Sequence, residues 1–148
     1  MKKFRRKDIS MNLFTLIELV TVIAIILILT GIAIPTYSVI TNNAKKTKAT
    51  AEIQNFETAI AAFQMDIGRL PKSLNDLVVN PGEGDKWQGP YIKRKKIQKD
   101  PWQNAYVYQT PSKDGGAGSY DIISYGSDGT PGGKGSGKDI DNWPDENE

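Results

Sequence analysis

Apolar positions fall into three regimes along the chain. From Phe14 to Ile34 they run almost unbroken, FTLIELVTVIAIILILTGIAI, with Glu18 as the single charge. At about 1.5 Å per residue this is roughly 31 Å of helix, close to a bilayer core of about 30 Å, and it predicts a membrane-spanning helix. Beyond Pro35 the apolar residues thin to a stripe: Ala49, Ile53, Phe56, Ile60, Phe63 and Ile67. That spacing predicts an amphipathic helix with one core-facing side. Lys45, Lys46, Lys48, Glu52, Gln54 and Glu57 fall between as its solvated side. The stripe lasts only about two and a half heptads, too short for a free-standing coiled coil. Gly68 suits a left-handed cap, and Pro71 prevents the helix from resuming. One helix of about residues 14–67 results, its second half packed on a domain.

The third regime is broken into short pieces. Ser73-Leu74-Asn75-Asp76 has the form of a capping box and predicts a short helix through Val79. Residues 81–85 are turn-rich. Tyr106–Tyr108 and Tyr120–Ser124 are β-prone runs separated by polar turn residues, which predicts a hairpin. A small antiparallel sheet covering the amphipathic helix gives an α+β head.

Charge divides the chain in the same way. Residues 1–13 hold five of the 19 basic residues and one of the 17 acidic ones, so the remainder carries a net charge of −2. The basic excess belongs to the leader, and the rest has none with which to neutralise a nucleic acid. A basic leader should stay cytoplasmic, leaving the head outside. The apolar run exceeds that of a secretory signal peptide, and no Ala-x-Ala site follows it. The organisation expected is a basic leader at 1–13, a transmembrane and assembly helix at 14–36, and a periplasmic head at 37–148. Cysteine and histidine are both absent, which excludes a disulfide framework and removes the commonest general base and nitrogen metal ligand. No catalytic residues are read, and no enzyme is expected.

Glu18 stands out physically. A carboxylate within a membrane span costs roughly 2.5–3.5 kcal/mol on insertion scales and needs a partner, which the span itself does not contain. The candidates are the amino end of the segment, lipid headgroups or another molecule. The basic leader followed by Phe14-Thr15-Leu16-Ile17-Glu18 resembles the N-terminus of type IV pilins and pseudopilins. The resemblance implies that a prepilin peptidase cuts between Leu13 and Phe14 and methylates the new Phe14 amine. It also implies that Glu18 meets the Phe14 amine of a neighbouring subunit, and that Pro35 is the helix-bending proline. Pro35 has no N–H for the Gly31 carbonyl, making residues 31–35 a weak point. Leu13 departs from the pattern by standing where the family carries glycine, which places a large side chain just before the cut.

The head narrows the resemblance. Trp87-Gln88-Gly89-Pro90-Tyr91-Ile92-Lys93, then Asp100-Pro101-Trp102, Asn104 and Tyr106, is similar to the major pseudopilin of type II secretion systems, with Gln103 in place of a usual glycine. Read as residues, these are turn and packing positions: Asp before Pro starts a turn, and Trp102 covers a core edge.

From Tyr125 the chain is glycine-rich. Gly132-x4-Gly137-Lys138 has phosphate-loop spacing, yet Asp139 occupies the Ser/Thr position, no strand leads in, and an aspartate there repels phosphate. In the resembled family this stretch binds calcium. The resemblance implies Asp128 and Asp139 as carboxylate ligands and carbonyls near Tyr125 and Thr130 completing the shell. Lys138 replaces one family carboxylate, and Asp141 is a substitute for it. Calcium accepts six to eight oxygens, which such a flexible loop can supply.

The function implied is a structural subunit that polymerises into a periplasmic pseudopilus driving protein export. Its implied partners are like subunits, minor pseudopilins, an inner-membrane platform, the prepilin peptidase and a secretin. A surface type IV pilin is the alternative within the same class, although such pilins often close their C-terminal region with a Cys pair. A membrane-anchored periplasmic binding domain is the alternative from another class.

Overall fold

A computed structural model describes residues 14–113, 115–116 and 118–143, the side chains of 32–36 excepted. The chain forms two compact units, one reaching Val39 and the other starting at Ile40. A single helix, α1, runs Leu16–Ile67. The expected long helix is therefore present, and its assignment continues through position 35. The side chain of Pro35, to which a bend was ascribed, lies outside the described residues, as does Leu13.

In the second unit the predicted stripe is the core. Ala49, Ile53, Phe56, Ile60 and Phe63 of α1 are buried, Ile67 packs at the edge, and Leu74, Leu77, Tyr106 and Ile122 close over them. Each fully buried Ile or Phe contributes about 1.5–3 kcal/mol relative to exposure. Gly68 ends α1 at φ +84° with its N–H bonded to the Gln64 carbonyl, as the sequence leads one to expect.

The hairpin forms. β1 (Val107–Gln109) pairs antiparallel with β2 (Asp121–Ser124), Tyr108 opposite Ile122. The sequence did not suggest a third strand, yet β3 (Ile140–Asp141) pairs antiparallel with β2, Ser124 opposite Ile140. The order is β1-β2-β3, and fully buried Ile122 reaches the helix from the central strand.

Two expectations are corrected. The segment after Ser73 is a single 3-10 turn, Leu74–Leu77, and the Ser73 side chain makes no backbone cap. Its hydroxyl instead donates to Asp76 Oδ1, while Asp76 Oδ2 accepts the Lys72 N–H, so the carboxylate does the capping. Glu52 does not lie on the solvated face. It is 8% exposed, taking a 2.8 Å hydrogen bond from the Tyr106 hydroxyl and a longer one, 3.5 Å, from Arg94. The Tyr106 ring packs edge-on against Phe56 at 5.2 Å, which carries its hydroxyl to the carboxylate.

The aromatic motif of residues 87–91 is structural. The Trp87 indole N–H donates to the Asp76 carbonyl, and the Tyr91 hydroxyl donates to Asp66 near the end of α1. Gly89 lies beneath the Trp87 ring, where a Cβ would come within 2.4 Å of it.

Candidate functional site

The head's candidate site is the loop between β2 and β3, and buried polar groups fix where it begins. Asp100, 1% exposed, accepts the Trp102 N–H at 2.9 Å and the Asn104 N–H at 2.8 Å on Oδ1. Its Oδ2 accepts the Ser124 hydroxyl at 2.6 Å. Asn104 then donates from Nδ2 to the Gly126 carbonyl at 2.8 Å. The Asp100–Asn104 turn therefore grips the chain on both sides of Tyr125. Turn and packing roles were read for these residues from sequence; the grip on the loop was not, because nothing in the sequence places Ser124 beside Asp100.

Of the expected ligands, Asp128 and Asp139 each touch the segment 132–137. Asp128 Oδ1 accepts the Thr130 N–H at 3.2 Å. Asp128 Oδ2 lies so close to Gly133 and Gly137 that a Cβ would approach it to 2.7 and 2.4 Å. Asp139 Oδ2 accepts the Gly132 N–H at 2.8 Å, while its Oδ1 is buried with no hydrogen-bond partner among the described residues. The carbonyls of Tyr125 and Thr130 likewise accept no bond from a described residue. Asp141 is exposed, and its Oδ1 accepts the Trp143 N–H. Asp139 and Asp141 line one hollow with Gly132, Gly133 and Trp143.

The groups the loop offers, an orphaned carboxylate oxygen of Asp139, the Asp128 carboxylate beside Gly133 and Gly137, and loop carbonyls, are all oxygen. That chemistry fits a hard cation such as calcium. Among the described residues there is no cluster of three acidic or other metal-ligating side chains, so carbonyls or water must complete any such shell.

The other unit ends in a different arrangement. The Thr15 N–H and hydroxyl both donate to Glu18 Oε2, at 2.9 and 2.8 Å, and the Glu18 N–H returns to the Thr15 hydroxyl at 3.3 Å. This is a reciprocal capping box at the start of α1. Its signal in the sequence is the Thr15-x-x-Glu18 spacing. Glu18 Oε1 takes no bond from a described residue. Beside it the apolar side chains stand exposed, among them Phe14 at 78% and Leu16 at 81%.

The family model for the type II secretion system protein G matches residues 38–143. The chain is 36% identical to the type II secretion system core protein G of Xanthomonas campestris, over 92% of this chain and 90% of the relative. It is also 36% identical to the Vibrio cholerae core protein G, over 97% of this chain and 96% of the relative. The chain belongs to the type II secretion protein G family, the major pseudopilins. A crystal structure of the major pseudopilin from the type 2 secretion system of enterohaemorrhagic Escherichia coli matches with a TM-score of 0.54 and 28% identity, covering 70% of this chain and 90% of that one. The pilin-like reading of the fold is thereby established: a long helix whose second half packs on a small antiparallel sheet. In this chain the head motif of residues 87–106 makes structural hydrogen bonds.

Proposed function

We propose that the chain is the repeating subunit of a periplasmic pseudopilus, held in the inner membrane by its apolar N-terminal segment until it assembles. It is a structural subunit, with no catalytic role. Family membership supports the filament. The Glu18 arrangement is the observation that carries the assembly mechanism. Among the described residues no helix is long and apolar enough to cross a membrane. The apolar run with described side chains spans Leu16–Gly31, about 24 Å, and the sequence continues it to Ile34.

Two donors from Thr15 offset part of the cost of placing Glu18 among apolar neighbours, and they leave Oε1 open to a cation. An amine on a neighbouring subunit, the Phe14 terminus freed by cleavage after Leu13, is the cation proposed. Minor pseudopilins, an inner-membrane platform, the prepilin peptidase and a secretin are the further partners proposed. Calcium is proposed at Asp128 and Asp139 with the carbonyls of Tyr125 and Thr130. When bound it would supply positive charge to the orphaned Asp139 oxygen and order the loop.

The test is Glu18→Ala in cells carrying the secretion apparatus. The variant should insert in the membrane and remain monomeric to cross-linking, while the parent yields multimers whose subunits begin at N-methylated Phe14 by mass spectrometry. Normal filaments from Glu18→Ala would refute the assembly role. An intact leader in parent filaments would refute the cleavage, and Leu13→Gly would then raise it.

A further inference from the structure

A cationic edge lies on one flank of α1. Residues 93–96 read Lys-Arg-Lys-Lys, and all four are exposed. Arg94 is drawn to Glu52 and Gln98. Lys93, Lys95 and Lys96 make no ion pair or side-chain hydrogen bond among the described residues. Lys93, Arg94 and Lys95 rim a shallow groove floored by Val78, Val79 and Pro90, with Val79 53% exposed. This groove has an apolar floor and a cationic edge.

The opposite character is found at residues 139–148. That stretch contains Asp139, Asp141, Asp145, Glu146 and Glu148 and no basic residue; 144–148 lie outside the described residues. Trp143 donates its indole N–H to Asp121 at 2.7 Å yet keeps its ring half exposed. It lines a hollow with Lys46 and Thr50 of α1. At 100° per residue, positions 46 and 50 fall on one flank of the buried stripe. Glu52, Asn55 and Ala59, where residues 91–94 meet the helix, fall on the other.

We propose that the groove edged by Lys93 and Lys95 receives the segment from Trp143 to Glu148 of a second copy of this chain. The floor would take the apolar Trp143-Pro144 pair, and the cationic rim the carboxylates that follow. Both halves of the match are needed, since charge alone steers and orients a contact more than it holds one. A groove and a segment that are different parts of the chain make this contact heterologous. When repeated without closure, such a contact generates a helical filament. The inference rests on the filament reading and names one of its interfaces.

The chain has no cysteine, so introduced pairs report cleanly. Lys95→Cys and Glu146→Cys, carried on separate copies of the full chain in cells with the secretion apparatus, should form a mixed disulfide in sheared filaments. Both changes on one chain should give a ladder of multimers. Lys93→Glu with Lys95→Glu and Lys96→Glu should cut filament yield on the order of tenfold, the effect of like charges facing one another. Asp145→Lys with Glu146→Lys and Glu148→Lys should restore it. A disulfide formed only within one chain would overturn the proposal, as would filaments lacking the mixed disulfide, or a charge swap that fails to rescue while each variant melts like the parent. Absence of filaments from the parent would overturn the filament reading and this contact with it.

Discussion

Changing Asp139 to asparagine should reverse its effect on stability according to whether calcium is present. In metal-free protein Asp139 Oδ1 is a buried carboxylate oxygen with no partner among the described residues, a state that costs about 1–3 kcal/mol. An asparagine carbonyl can keep the bond from the Gly132 N–H. Its neutral amide then replaces the buried carboxylate oxygen, which removes the unpaired buried charge. With chelator, Asp139→Asn should therefore melt no lower than the parent. Calcium should invert the comparison, because a metal bound only by the folded parent adds to its stability. A hundredfold excess over Kd stabilises it by about 2.7 kcal/mol. At 4–8 °C per kcal/mol for a head of this size, the parent should gain on the order of 10 °C or more. Asp139→Asn and Asp128→Ala should gain little, and magnesium should do less than calcium because it demands a tighter octahedral shell. The assay is thermal unfolding of stripped full-length protein in detergent, with calcium, magnesium or chelator. Equal calcium shifts in parent and Asp139→Asn would refute the reasoning, as would an equal loss by the variant in both conditions.

Other consequences follow from single residues. Gln103 holds φ +75°, a left-handed conformation costing about 1–2 kcal/mol in a non-glycine residue. After a glycine entropy cost of about 0.4–1 kcal/mol, Gln103→Gly should raise the melting temperature by a few degrees; a lower value would contradict it. Asp100→Ala orphans the Trp102 and Asn104 N–H groups and the Ser124 hydroxyl, and should cost roughly 3–5 kcal/mol by denaturant titration, with Asp100→Asn milder. Burial, with the neighbouring Tyr120, pushes Tyr108 up to about 12, and Tyr106 is raised by burial and by its bond to Glu52. Both folded values exceed the unfolded value of about 10, so stability should be intact below about pH 10 and be lost as pH climbs through about 12. Tyrosinate absorbance should rise together with unfolding.

What the sequence reveals here is what short-range periodicity can encode. The α1 stripe repeats every three or four residues, and its buried members are the expected ones. The two longer strands carry branched and aromatic residues on either side of a turn-rich gap, and they pair. β3 escapes because Ile140-Asp141 is too short for any alternation and exists only through its pairing with β2. Glu52 was misplaced for a related reason. Its spacing matches a solvated flank, and its partners Tyr106 and Arg94 lie 54 and 42 residues away. At the loop, Asp128 and Asp139 were nameable from a motif, but the orphaned oxygen that gives Asp139 its meaning depends on how residues 125–139 fold back.

These misses share a physical origin. The strands of the sheet are only three, four and two residues long, so its ladder satisfies few backbone groups, and no cysteine is available to staple the loops. Carboxylates take over that work. Asp100 collects the N–H groups of its turn and Asp121 those of Lys113 and the Trp143 indole, while Asp139 collects that of Gly132. Such charge-assisted bonds are shorter and stronger than neutral ones: those of Asp100 and Asp139 close a turn and a loop, and those of Asp121 tie neighbouring segments to β2. Asp100 and Asp121 spend both oxygens in this way. Asp139 spends one and leaves the other buried with no partner among the described residues, which is why the β2–β3 loop is where a cation is proposed.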